Sequence, residues 1–159
     1  MDIPGITAAE IIAVEARYAH CLDDGRLEDW PDFFLPDCAY RITTAENHRL
    51  GFAAGIIWAD SRFMLEDRIA ALREANIYER HAYRHILGLP LLRAPDGEGT
   101  RSETPFLVAR IMRDGQTDLY ATGRYLDLWR RDAGGALRLA ERVVVCDSSR
   151  IDTLLALPL

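Results

Sequence analysis

Residues 106–146 read FLVARIMRDGQTDLYATGRYLDLWRRDAGGALRLAERVVVC, and the fold class turns on how this stretch is parsed. Phe106, Val108 and Met112 alternate with Leu107, Ala109 and Ile111, the two-residue period of a strand. Asp114-Gly115 is the dipeptide of a tight hairpin. A return strand follows over Leu119–Arg130, and Gly123 in its middle is expected at a bulge or sharp bend. Asp132–Gly135 makes the next turn. In the last strand Leu137, Leu139, Val143 and Val145 are expected on one face, and Arg138 and Arg142 on the other with Ala140, Val144 and Cys146. Antiparallel strands of this length must twist and curl, and a curled sheet needs something to wrap around.

The first half of the chain supplies helices for that purpose. Thr7 is a helix cap with Glu10 as its capping-box partner, and Ile6 and Ile11 fit a hydrophobic staple. Ile11, Val14, Tyr18 and Leu22 then form an apolar stripe, and Gly25 is the stop. A short second helix is expected with Leu27, Trp30, Phe33 and Phe34 buried, Pro31 in its first turn, and Pro36-Asp37 as its end. Cys38–Thr43 alternates as a short strand, residues 47–55 read as loop, and Gly55–Ala59 is a candidate second strand. Asp60 or Ser61 caps a helix to about Ala75 with Leu65, Ile69 and Leu72 inward, and Arg62 and Glu66 sit one turn apart, placed to pair. Helices first and strands after give an α+β architecture: a cone-shaped, curved antiparallel sheet wrapped around N-terminal helices, as one domain over residues 1–159.

Composition narrows the partners. The formal net charge is -6, and all 19 basic residues are Arg. No basic run exceeds Arg130-Arg131, so a nucleic-acid partner is not expected. No apolar run approaches the roughly 18 residues of a membrane span. The start, MDIPGITAAE, has two acids and no basic apolar leader, and Cys21, Cys38 and Cys146 form an odd, scattered set without a CxxC pair. These features fit a cytoplasmic protein with reduced, buried thiols.

Candidate chemistry is sparse. His81 and His85 would share a metal on a helix, but Gly88 and Pro90 place them on a strand, where they stand roughly 13 Å apart. A His–Asp pair in an apolar pocket, with Asp23, Asp24, Asp29 or Asp32 as the acid, would suit proton transfer. Ser148-Ser149 lacks nucleophile-elbow glycines, and no phosphate loop or dinucleotide fingerprint occurs.

Against that background four runs resemble one family. DDGRLEDWPDFFLPDCAYRI, MLEDRIAALREANIYERHAYRHILGLP, ATGRYLDLWRR and LRLAERVVVCDSSRIDTLLALPL, in this order, look like the small (beta) subunits of Rieske-type aromatic ring-hydroxylating dioxygenases. The resemblance implies the cone fold shared with nuclear transport factor 2, of the type also termed cystatin-like. It also implies an oxidoreductase component without a catalytic centre of its own. The partner would be a large (alpha) subunit carrying the Rieske [2Fe-2S] cluster and mononuclear non-haem Fe(II), in an alpha3beta3 assembly with small-subunit self-association.

The residues agree independently. No Cys is followed by His at one or two positions, as a Rieske ligand pair would need, and no two-His-one-carboxylate set is evident, so no catalytic, cofactor or metal residue is assigned. Tyr78, Arg80, Tyr83, Arg84 and His85 are expected at or near a subunit contact, as are the tail residues Leu154, Leu155, Leu157 and Leu159. The tail has a second reading, closure of the chain's own core. The alternative function is a stand-alone, cofactor-free isomerase or dehydratase of the same fold, with His85 and Asp29 as its test residues. A pocket filled by Trp30, Phe33, Phe34 and their neighbours would count against it.

Overall fold

The structure, a computed structural model, describes residues 5–52, 55–75, 81–149 and 158–159. Helix α1 (Ala8–Asp23) starts at the expected capping box. Thr7 Oγ1 accepts the Glu10 N–H, and Glu10 Oε2 accepts the Thr7 N–H at 2.9 Å. Ile11, Val14, Tyr18 and Leu22 are buried, and Gly25 follows the helix with a φ of 72° that suits glycine.

The second helix is a 3₁₀ segment, Leu27–Phe33. Pro31 lies inside this segment and not only in its first turn. The segment ends earlier than expected. Phe34 is already extended, and strand β1 runs Phe34–Thr44, through Pro36 and Asp37. Leu35 precedes a proline, which biases it away from helical backbone.

Thr44 then caps a short helix α2 (Ala45–Arg49), accepting the Asn47 N–H at 3.1 Å, within what reads from sequence as loop. Strand β2 is Ile57–Ala59. Helix α3 (Arg62–Ala75) is capped by Ser61 and turns Leu65 and Ile69 inward. Arg62 does not wait for Glu66. Its guanidinium donates to the Phe34 carbonyl, with Nε at 2.9 Å, and ties α3 to the start of β1.

Strands β3 (His81–Leu87), β4 (Leu91–Leu92), β5 (Thr100–Met112), β6 (Thr117–Arg131) and β7 (Leu137–Cys146) complete a sheet ordered β2-β1-β7-β6-β5-β3, with β4 also on β5. The turns are those expected. Gly115 has a φ of 92°, and Asp132 Oδ1 accepts the N–H groups of Gly134 and Ala136. The sheet is not wholly antiparallel, because β1 pairs parallel with β7. The chain between them contains α2, α3 and the five strands β2 to β6, ample length for a parallel return.

Two register shifts alter the faces. In the β6–β7 ladder Leu128 opposes Glu141 and Trp129 opposes Leu139, so Ala140 is an extra residue in β7. That bulge changes the phase of the strand. Leu139, Arg142, Val144 and Cys146 all face the cone interior, contrary to the strict alternation expected from sequence. A second shift falls at Tyr120, between Val108 and Ala109 of the β5 register. Gly123 pairs regularly on both sides and is not itself the bulge. Glycine is needed there because a Cβ would collide with the Val145 backbone carbonyl. Among the described residues no helix is long and apolar enough to cross a membrane.

Gly123→Ala is therefore expected to destabilise the subunit by about 2–3 kcal/mol, as overpacking against backbone does. That corresponds to a thermal midpoint lowered by roughly 5–10 °C. An unchanged melting curve would mean that the strands separate there at no cost.

Candidate functional site

The interior of the cone is the place to look for chemistry, and its centre is an ion cluster. On β7 the bulge turns Arg142 inward, directly opposite Asp127 of β6. Arg142 Nε and Nη2 each lie 2.8 Å from an Asp127 carboxylate oxygen, a bidentate pair with no exposed side-chain surface. Nη2 also reaches Glu15 Oε1 of α1 at 3.3 Å, and Thr104 of β5 donates to the same oxygen at 2.9 Å. The guanidinium carbon lies 3.8 Å from the Tyr125 ring centre and 4.4 Å from that of Tyr18, both cation–π distances.

Two carboxyls and one guanidinium cannot all be charged without leaving a buried surplus. Asp127 has the better geometry, so Glu15 is the surplus acid. Burial pushes the Glu15 carboxyl up to about 7, with Arg142 opposing and Asp127 adding to the rise. Burial likewise raises Asp127, against the pull of Arg142.

Around this cluster the interior is packed. Tyr18, Trp30, Phe34, Tyr40, Tyr125 and Trp129 are fully buried, with Phe33 packed against them. Trp30 meets Tyr40 and Phe34 edge-on at 5.2 and 5.5 Å. Leu159 is fully buried among them; its carbonyl oxygen accepts from Tyr18 Oη at 2.8 Å and Tyr40 Oη at 2.9 Å. Leu159 is thus part of the chain's own core.

The expected His–Asp pair exists, but not with Asp29. His85 Nδ1 lies 2.7 Å from Asp23 Oδ1, both side chains are buried, and the His85 backbone N–H also donates to the Asp23 carboxylate. This ties the end of α1 to β3. Asp24 and Asp29 pair with Arg26 on the surface, and Asp29 and Asp32 line a separate cleft of about 360 Å³ with Arg17, His20 and Arg138. Arg84 is 59% exposed and lies 3.7 Å from Asp23, whereas Tyr83 is buried and stacked on Tyr120. Tyr83, His85 and Leu159 are buried in this chain. Tyr78, Arg80, Leu154, Leu155 and Leu157 lie outside the described residues.

All four His and all three Cys are described, so the fit of an iron site can be tested directly. His81 and His85 stand four residues apart on β3, roughly 13 Å by strand rise. His85 is committed to Asp23. The thiols of Cys21, Cys38 and Cys146 are buried and free, and burial raises them to about 11, 11 and 12, away from the thiolate a cluster requires. Among the described residues no group of three or more His, Cys, Asp and Glu converges on a point. These residues do not fit a Rieske cluster or a mononuclear iron.

A curved mixed sheet wrapped around helices, with a packed, ion-paired interior and, among the described residues, no group of converging metal ligands, is a cone fold. Residues 17–153 match the ring hydroxylating beta subunit family. The chain is 54% identical over 154 residues to the terminal oxygenase component subunit beta 1 of a Comamonas terephthalate 1,2-dioxygenase, covering 97% of this chain and 99% of that one. It is 41% identical to the Burkholderia cepacia anthranilate 1,2-dioxygenase small subunit, over 94% of this chain and 92% of that one. A crystallised beta subunit ascribed to the aromatic-ring-hydroxylating dioxygenases of Novosphingobium aromaticivorans superposes with a TM-score of 0.86 at 38% identity, covering 96% of each chain. The chain belongs to the ring-hydroxylating dioxygenase beta subunits, and is a small subunit close to that of terephthalate dioxygenase.

The raised Glu15 makes stability pH-dependent. The folded chain keeps a proton up to about pH 7 that the unfolded chain releases near 4.5, so stability falls as pH rises through this window. The full effect is on the order of 3 kcal/mol. Glu15→Gln, neutral at every pH, should flatten the dependence of the thermal midpoint between pH 5 and 8.5. Parallel wild-type and variant curves would assign the proton elsewhere.

Proposed function

We propose that this chain is the structural small subunit of a terminal oxygenase acting on terephthalate or a related aromatic carboxylate. It assembles with, and stabilises, a large subunit that carries the Rieske [2Fe-2S] cluster and the mononuclear iron. In this reading the assembly is alpha3beta3, with small-subunit self-association, in the cytoplasm, and residues 1–159 act as one domain. The observation that supports the non-catalytic role most is the filled interior. Arg142, Trp30, Tyr40 and Leu159 occupy the volume that a stand-alone enzyme of this shape would keep open for its substrate. The substrate class rests on the terephthalate and anthranilate relatives, both named for aromatic carboxylates. Arg84 is the described residue proposed at the subunit contact. From sequence, Tyr78, Arg80 and the leucines at 154, 155 and 157 join it.

Co-expression with its large subunit should yield one complex that contains stoichiometric iron and hydroxylates terephthalate when supplied with reductant. The small subunit purified alone should bind no iron and turn over no aromatic compound. Iron bound by the lone chain, or turnover by it unaided, would overturn the reading.

A further inference from the structure

Helix α1 is tied down near both ends. In its first turn Glu10 pairs with Arg131 of β6 at 2.9 Å, and at its last residue Asp23 accepts the His85 N–H of β3 at 3.0 Å. Beside the helix runs a cleft of about 350 Å³, with Ile12 and Ala16 on one side and Ile86 and Leu89 on the other. Glu15 and His85 also line it. Glu15 therefore belongs to two structures, the buried Arg142 cluster and the wall of a cleft. Strand β3, across the cleft, is the last in the strand order and pairs with β5 alone among the described residues.

The two protonation forms of Glu15 make different demands on these surroundings. Asp127 already takes Arg142 with two bonds of 2.8 Å. Glu15 is left with the Thr104 hydroxyl at 2.9 Å and the longer Arg142 contact at 3.3 Å. A neutral carboxyl is served by that. An ionised one has about four acceptor sites and needs more donors, which in a buried place means water. The sheet side does not favour a second negative charge. Asp127 and Tyr125 of β6 and Arg142 of β7 face Glu15 there, with Tyr18 one turn along the helix, and Asp127 opposes ionisation. On the cleft side stand His20 of α1 and His85, the latter held by Asp23.

We propose that Glu15 is a proton-operated latch on the cleft between α1 and β3. Protonated, it seats the middle of α1 on the sheet and keeps the cleft shut off from the Arg142 cluster. Ionised, it draws water in through the cleft, and residues 12–19 part from residues 86–89. The His85–Asp23 and Arg131–Glu10 ties hold the helix near its ends, so the opening is local and the sheet stays folded. Burial pushes the Glu15 carboxyl up to about 7, so the latch is shut on the acid side of neutrality and released on the alkaline side.

The test is amide hydrogen exchange on the full chain between pH 6 and 8.5, with each rate corrected for the intrinsic pH dependence of exchange. Protection of residues 12–19 and 86–89 should fall at least tenfold across this range in the wild type. The amides of β6 and β7 should remain better protected than both segments at every pH. Glu15→Gln cannot ionise, so its protection of the two segments should stay constant. Thr104→Val removes a donor from the ionised form, so its transition should move to higher pH; it reports even if Glu15→Gln misfolds. A pH-independent wild type overturns the latch. So does a pH dependence that survives in Glu15→Gln, which would belong to His20 or His85, or a Thr104→Val transition at the wild-type pH. Equal protection of the two segments and of β6 and β7 would mark global unfolding and overturn it as well.

Discussion

A guanidinium sealed from water is the constraint from which the rest of this subunit follows. Stripping Arg142 of solvent is tolerable only if its charge and its donors are met inside the protein. Asp127 meets them from the neighbouring strand with two 2.8 Å bonds, and the rings of Tyr125 and Tyr18 cover the ion. The pairing requires Arg142 and Asp127 to face the same side of the sheet. The bulge at Ala140 secures this. Without that extra residue, the strand that turns Leu137 and Leu139 inward would turn Arg142 out.

From this ion the connections run outward in a short series. Glu15 brings α1 onto the cluster, and Tyr18, one turn further along the helix, covers the guanidinium while its hydroxyl holds the Leu159 carbonyl. Tyr40 of β1 holds the same carbonyl and packs on Trp30 of the 3₁₀ helix. Sheet, helices and chain end are thus linked through adjacent buried polar groups. Such networks specify one arrangement, because a partial match leaves a polar group unpaired.

How much of this could be read from the sequence depended on the range of the interaction. Thr7 with Glu10, the apolar stripe of α1, Ser61 before α3, and the turns at Asp114-Gly115 and Asp132–Gly135 are local signals, and each stands where its residues place it. The early end of the 3₁₀ helix was also written locally, in Leu35-Pro36, but was outweighed by the run of aromatics. The bulge left no such mark, since Ala140 differs in nothing from an alanine in regular register. With the phase of β7 mistaken, the Arg142–Asp127 pair could not be found. Glu15 was the available clue, an acid lying between Val14 and Tyr18 on an otherwise apolar face. The His85–Asp23 tie joins residues 62 positions apart, and among several nearby acids spacing alone could not choose the right one.

Filling the interior has a consequence for the surface. A cone fold that keeps its centre open can host a substrate, and the same fold serves unrelated roles according to what occupies that space. Here aromatic side chains, an ion pair and the chain end occupy it, which leaves the exterior as the part free to vary. The exterior is also held in register from within. Tyr40 and Ile42 pair with Ala59 and Ile57 of β2, and Tyr40 is itself fixed by Leu159 and Trp30. Trp58, between those two paired residues, therefore projects from backbone that the core has already set.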